Sequence, residues 1–334
     1  MKIGKWLTLL AGQSVSSKLG LSLSDRMAKD VSLEEEVSEC IALSNDSLRV
    51  PNIVHYIWFG CKRDFLPYHY LSVLSSLSVQ NACKVFFHTD CEPPEENELF
   101  SHLKEHENFR IVPKEAPTQI FNRPVERLEH QADVARIELL MRYGGIYLDD
   151  TQIVTRSMDP LRKLSCTLPY EKKGTLMNGV IVSEPNAPFL KKWLFLGYND
   201  FEDHRWAWNS CRKPYFLWEK YPNLLHVEPK TFLPSWDQWE ELFFDNHYPW
   251  RENDNYAVHI YHKKYRRNHN LEEIVGTRRR HITLGQGGPS ICRFSKEEMM
   301  RIQEASFCKY NNQLHLTNQP AFQIVQKTPT RVVC

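Results

Sequence analysis

Asp133 and Arg136 stand three residues apart, and Asp149 and Asp150 are adjacent carboxylates a short way downstream. Positions i and i+3 share a face on a helix, so an acid and a guanidinium would meet there. Two carboxylates where a strand gives way to a loop are the usual means of holding a divalent cation beside a diphosphate. Asn178 precedes the apolar run Gly179-Val180-Ile181-Val182. Its amide carries both donor and acceptor and can read hydroxyl groups from a fixed position. His259, in Tyr256-Ala257-Val258-His259-Ile260-Tyr261-His262, can return an imidazole to a metal and a diphosphate, with His262 as the second choice. Blander readings fit the same residues: a helix end with a solvated acidic turn, an asparagine that opens a strand, and a core histidine.

The surrounding pattern supplies the elements these groups need. Val134, Ile137, Leu140 and Met141 recur at helical spacing, and Gly144-Gly145 ends that helix. Ile146-Tyr147-Leu148 then reads as a strand that delivers Asp149 to its end. Open α/β sheets place ligands at that end of their strands. If this strand stays straight, Asp149 and Thr151 share one face and Asp150 takes the other.

Upstream, Ile53 to Gly60 reads as a strand buried on both faces. A helix over Tyr68–Val79, a strand over Lys84–His88, a helix from about Glu96 and a strand over Phe109–Val112 follow, then a loop from Pro113 to Pro124. Strand and helix alternating through short links is the doubly wound α/β pattern. Downstream, Gln152–Val154 reads as a strand beside the site, Phe189 starts a helix, and Arg205–Trp218 is rich in tryptophan and basic residues. Trp236, Trp239 and Trp250 continue that enrichment. Residues 1–50 read as a helical and loop extension, 51–275 as the catalytic domain, and 276–334 as a loosely attached extension. A short helix is expected at Lys296–Glu304.

Composition narrows the classes. Lys and Arg total 42 against 41 acidic residues, so the net charge of +1 makes no case for a nucleic-acid binder. Basic runs remain at Lys263–Arg267 and Arg278-Arg279-Arg280. The apolar run Trp6–Ala11 is too short for a membrane span or a signal core, which points to the cytoplasm. Nine cysteines show no zinc-like spacing and read as scattered thiols. One glycosylation sequon stands at Asn45-Asp46-Ser47.

The stretch Glu129–Thr155 resembles the signature of the DXD-containing glycosyltransferases of the α-1,6-mannosyl-, α-1,4-galactosyl- and N-acetylglucosaminyltransferase type, and more distantly the clostridial glucosylating toxins. Asp133, Arg136, Gly144, Gly145, Tyr147 and Asp149 match the family pattern. Thr151 departs from it, standing where the second metal carboxylate belongs, with Asp150 in the variable middle place.

The resemblance implies a GT-A-like, mostly parallel α/β fold and transfer of a hexose-type sugar from a nucleotide diphosphate to a glycan, lipid or protein, with retention. A UDP-sugar donor is favoured and a GDP-sugar is the alternative. It implies Mn²⁺ or Mg²⁺ held by Asp149 with Asp150 and His259, and a donor held by Asp133, Arg136 and Asn178. Trp58, which matches a base-stacking tryptophan of the toxin branch, would cover the nucleotide base. Golgi members of the family also make the secretory pathway an alternative to the cytoplasm. Two further readings stay open: a weak or inactive homologue that still binds a nucleotide sugar, motivated by Thr151, and a structural or interaction protein on the same scaffold.

Overall fold

The central strand, β1 (Ile53–Trp58), carries six consecutive buried residues, IVHYIW, and is hydrogen-bonded on both edges. Parallel strands covered on both faces need such near-continuous apolar runs. The structure, a computed structural model, describes residues 23–43, 48–93, 96–229, 232 and 255–261. A helix, α1 (Leu23–Leu43), precedes β1. After β1 come α2 (Pro67–Ser78), β2 (Lys84–Thr89), α3 (Glu98–Lys104) and β3 (Phe109–Pro113). A small hairpin of β4 (Gln119–Ile120) and β5 (Arg123–Pro124) leads into α4 (Leu128–Tyr143). The chain continues through β6 (Gly145–Leu148), β7 (Gln152–Val154), α5 (Asp159–Arg162), β8 (Cys166–Lys172), β9 (Thr175–Leu176) and β10 (Val180–Ser183).

The main sheet runs β11-β8-β10-β6-β1-β2-β3, where β11 is His226–Glu228 and β9 pairs with β8 off the path. β6, β1, β2 and β3 are mutually parallel, whereas β10 runs against both of its neighbours. The chain is therefore a mixed α/β protein with a mostly parallel central sheet. β12 (Ala257–His259) pairs with β7 in a separate two-stranded sheet beside the end of β6.

Side-chain alternation divides the core into two layers. Ile53, Ile57, Phe86, Tyr147 and Ile181 face α4 residues Val134, Ile137 and Leu140, with Leu33 and Val37 of α1 in the same layer. Val54, Tyr56, Trp58, Phe87, Ile146 and Leu148 face Tyr70, Val73 and Leu74 of α2. Gly144 and Gly145 let α4 turn straight into β6. Their φ angles are +67° and +103°, and a Cβ on Gly145 would stand 2.7 Å from Ile53 Cγ1.

The structure departs from the sequence reading at several places. Residues 113–124 hold the β4–β5 hairpin, whose tip puts Phe121 and Asn122 at positive φ. Pro188 opens α6 (Pro188–Lys192), which loosens into a π-helical turn at Trp193–Gly197. Trp208–Arg212 forms another such turn before α7 (Lys213–Lys220). Four cysteines are not free thiols: Cys40 pairs with Cys83 and Cys61 with Cys91. Partners 43 and 30 residues apart are brought together by packing alone, so no local spacing announces them. His262, Trp236, Trp239, Trp250, the sequon, the run at 6–11, the basic runs at 263–267 and 278–280 and the helix expected at 296–304 lie outside the described residues. No helix among those described is long and apolar enough to cross a membrane.

A histidine pair lies beneath the glycine turn. His55 Nε2–H donates to the Gly144 carbonyl at 3.0 Å, which leaves Nδ1 to accept from His88 Nε2–H at 2.9 Å. Burial pushes His55 down to about 4, opposed by its bond to Gly144, and holds His88 well below its ordinary range. The unfolded chain therefore takes up these protons first as pH falls. The stability that His55 contributes is complete above about pH 6.5 and is lost on the way to about pH 4. Urea unfolding followed from pH 7 to pH 4.5 is expected to show a loss of about 2 kcal/mol from this group. The H55N variant should have a flatter profile.

Candidate active site

The site is assembled where β6 ends. Arg136 projects from α4 beneath it, and its side chain is only 6% exposed. Its Nη2 lies 3.1 Å from Asp133 Oδ1 and its Nη1 lies 3.3 Å from Asp149 Oδ1. Nη1 also donates to the Asn178 carbonyl at 2.7 Å, and the guanidinium lies 4.3 Å above the Tyr147 ring. Asn178 Nδ2 donates to Asp133 Oδ1 at 2.7 Å, and Tyr147 Oη donates to Asp149 Oδ1 at 2.7 Å. Four residues singled out from the sequence, Asp133, Arg136, Asp149 and Asn178, thus form one network joining α4, the end of β6 and the approach to β10.

Electrostatics follow from burial. Desolvation raises Asp133, and Arg136 and the Ser210 hydroxyl oppose that shift. Burial also works against the Arg136 charge, but Tyr147, Asp149 and Asp133 outweigh it and keep the guanidinium protonated. A fully buried cation is tolerated only when its partners are this close and this well oriented. Gly179 is required beside it, because a Cβ there would stand 2.7 Å from Asp149 Oδ2. The Asp149 amide donates to the Gly179 carbonyl at 2.8 Å, so the backbones of the two segments are tied as well.

The chain does not stay straight beyond Asp149. Gln152 N–H donates to the Asp149 carbonyl at 2.9 Å, closing a turn over residues 149–152. Asp149 keeps company with Tyr147 and Arg136 in the layer of α4, while Asp150 turns to Arg63, with which it forms an ion pair. Thr151 and His259 share a hydrogen bond of 2.9 Å between Oγ1 and Nε2. Burial lowers His259, against the pull of Asp149 and Asp150, so its imidazole stays neutral.

The family pattern implies a divalent cation, and the arrangement of these side chains does not suit one. Asp149, Asp150 and Thr151 each already hold a protein partner. Among the described residues, no three His, Cys, Asp or Glu side chains converge on a point where an ion would sit. The expected trio of Asp149, Asp150 and His259 is therefore not brought together as a ligand set.

Trp58 is also placed differently from the expectation. Its ring is 1% exposed, packed against Phe65, His69 and Phe87 in the α2 layer, with the Arg63 guanidinium carbon 3.8 Å from its centroid. The parity of β1 sends position 58 to the same layer as Tyr56, where α2 covers it.

Arg63, Ser210 and Tyr147 are contributors to which the sequence reading gave no role. Tyr147 stands in the matched pattern, but Arg63 and Ser210 lie in segments without periodicity. Ser210 reaches Asp133 because the two π-helical turns lock together: Trp193 Nε1 donates to the Asn209 carbonyl at 2.8 Å, and Asn209 Nδ2 to the Gly197 carbonyl at 2.5 Å. Such turns recur at functional sites. Next to them a crevice is lined by His130, Asp133, Arg205, Ala207 and Ser210. Trp206 stands beside it, 60% exposed, its ring 5.5 Å from that of His130.

Residues 67–167 match the family described as the glycosyltransferase sugar-binding region containing the DXD motif. Glucan organizing enzyme 1 of Cryptococcus neoformans var. grubii is 30% identical over 247 residues, covering 67% of this chain and 66% of that protein. The chain is a member of this glycosyltransferase family. Human lactosylceramide 4-alpha-galactosyltransferase is 28% identical over 153 residues, 40% of this chain and 41% of that enzyme. The chain thus spans about two thirds of the length of the fungal relative and less than half of the human one. Among solved structures, the galactosyltransferase LgtC with donor and acceptor sugar analogs aligns at TM-score 0.33 and 13% identity, over 77% of this chain and 95% of LgtC. The PaToxG glycosyltransferase aligns at TM-score 0.39 and 14% identity, over 59% and 79%.

Replacing Arg136 by Met would leave Asp133 and Asp149 without their buried cation. Removing one partner of such a pair costs about 3–5 kcal/mol. Urea denaturation of R136M should show a loss of that size, whereas a change below about 1 kcal/mol would mean the cluster does not hold the fold together.

Proposed function

We propose that this chain transfers a hexose-type sugar from a nucleoside-diphosphate sugar to a hydroxyl of a glycan, lipid or protein acceptor. The observation that carries the reading is the network of Asp133, Asn178 and Asp149 around Arg136, set at the C-terminal ends of parallel strands in a member of a glycosyltransferase family. Open α/β sheets bind their ligands at that edge. Asp149, with its side chain 28% exposed, is the carboxylate of the network most open to a donor. Arg136 acts as the positioning residue, since its guanidinium is engaged by protein acceptors.

In the reaction the acceptor oxygen bonds to the anomeric carbon as the bond from that carbon to the diphosphate oxygen breaks. The diphosphate departs with the electron pair, and the acceptor's hydroxyl proton ends on the released nucleoside diphosphate. The electrostatic demand falls on the departing oxygens. A UDP-sugar is the first choice of donor. Retention at the anomeric carbon accords with the family resemblance, and the catalytic unit is assigned to residues 51–275.

The acceptor is assigned to the surface beside His130, where the exposed Trp206 presents an apolar ring face suited to the flat side of a pyranose. The two disulfides favour an oxidising compartment, and hence the secretory pathway over the cytoplasm. A second reading, a homologue that binds the donor without turning it over, is favoured by Thr151, which is bonded to His259 in the place of a family carboxylate.

Incubation with UDP-glucose, UDP-galactose, UDP-N-acetylglucosamine and GDP-mannose, in the presence of simple glycoside acceptors, should release nucleoside diphosphate from at least one donor. D149N should lower that release about 10²-fold, the scale of losing one preorganised polar contact to the reacting groups. Binding of a donor with no release by the unaltered chain would establish the second reading. Full activity in D149N would remove Asp149 from the chemistry.

A further inference from the structure

Arg63 lies outside the network around Arg136, in the segment that follows β1. Its guanidinium is sandwiched between two groups that sequence reasoning had assigned to a ligand. It covers the ring of Trp58, where a base was expected, with its central carbon 3.8 Å from the ring centroid. It also forms an ion pair with Asp150, where a metal ion was expected. Its side chain remains 31% exposed.

The position is fixed by the fold. Gly60 N–H donates to Asp90 Oδ1 at 2.9 Å, and Cys61 is bonded to Cys91, so the segment is tied to the end of β2 on one side of Arg63. On the other side, Asn97 Nδ2 donates to the Phe65 carbonyl at 2.8 Å. The guanidinium is therefore held at the C-terminal edge of β1 and β6, next to the turn that separates Asp149 from Asp150.

The turn explains why one ion does not serve both carboxylates. Asp149 follows Tyr147 to Arg136 in the layer of α4, and Asp150 follows Trp58 to Arg63 in the layer of α2. Each carboxylate has its own guanidinium, and Thr151 adds no third acid. Of these two cations Arg136 is buried, so Arg63 is the one a ligand can reach. A guanidinium has five N–H donors in a planar fork, a geometry that matches phosphate oxygens, and it never loses its charge near neutral pH. It therefore suits the charge of a departing diphosphate.

We propose that Arg63 is the built-in cation of the donor site, binding the diphosphate of a nucleotide sugar in the role that a divalent ion would otherwise fill. The proposal rests on the glycosyltransferase reading given above. It makes donor binding insensitive to chelation and dependent on a residue of this chain.

The test is calorimetric titration of the full chain with UDP and with the UDP-sugars, in EDTA and in Mn²⁺, for the unaltered protein, R63A and R63K. Thermal melting of each variant confirms that it is folded. The unaltered protein should bind with affinities in the two buffers that agree within about threefold. R63A should bind at least about tenfold more weakly in EDTA, on the scale of one lost charge-assisted contact. R63K should recover part of the loss, because it restores a point charge without the fork. Binding by the unaltered protein that disappears in EDTA, or equal binding by folded R63A, would overturn the role of Arg63 while leaving the donor site standing. Absence of nucleotide binding in either buffer would overturn the donor-site reading and the role of Arg63 with it.

Discussion

One buried guanidinium holds the centre of this molecule together. Arg136 has almost no access to water, so its charge has to be met inside the protein. Two carboxylates, two backbone carbonyls and one aromatic face meet it, and they come from three different segments. The helix 128–143, the end of the strand 145–148 and the residues before the strand 180–183 are therefore fixed relative to one another by a single side chain. The rest of the site follows from that constraint. Gly179 has no side chain because Asp149 needs the space, and Gly144-Gly145 turn sharply because the helix that carries Arg136 must run straight into the strand that carries Asp149.

The parallel sheet adds a second constraint, its two-sidedness. Alternation sends Tyr147 to one layer and Trp58 to the other, and the polar residues beyond the strand ends sort with them. Two adjacent aspartates thus belong to two electrostatic environments, each with its own arginine. A pair of acids that reads as one metal site in sequence is, in three dimensions, two ion pairs.

The features legible in the sequence are those set by local periodicity and by chain breaks. The strands at 53–58, 84–89 and 109–113, the helices at 67–78 and 128–143 and the glycine turn at 144–145 all stand close to where pattern reading put them. The spacing of Asp133 and Arg136 gave their shared helix face, and the end of the strand gave Asp149. What the sequence could not show depends on contacts between distant segments. Cys40 meets Cys83 across a helix–sheet interface. Ser210 meets Asp133 only because two π-helical turns interlock. Arg63 lies in a short irregular segment where no period assigns a direction to a side chain. Trp58 was legible as a strand residue, but which layer it entered depended on the helix that covers it. The sharp turn at Asp150 had no glycine or proline to mark it.

These constraints make a claim about where a ligand sits. If the network around Arg136 is the donor site, a nucleoside diphosphate must lie at the C-terminal edge of strands 53–58 and 145–148, over the turn at residues 149–152. The most direct measurement is a crystal structure of the chain with a nucleoside diphosphate bound. The account predicts that the diphosphate lies against the turn, within hydrogen-bond distance of the Arg63 guanidinium and adjacent to Asp149. A nucleotide bound elsewhere on the molecule, with the network around Arg136 facing only solvent, would contradict it.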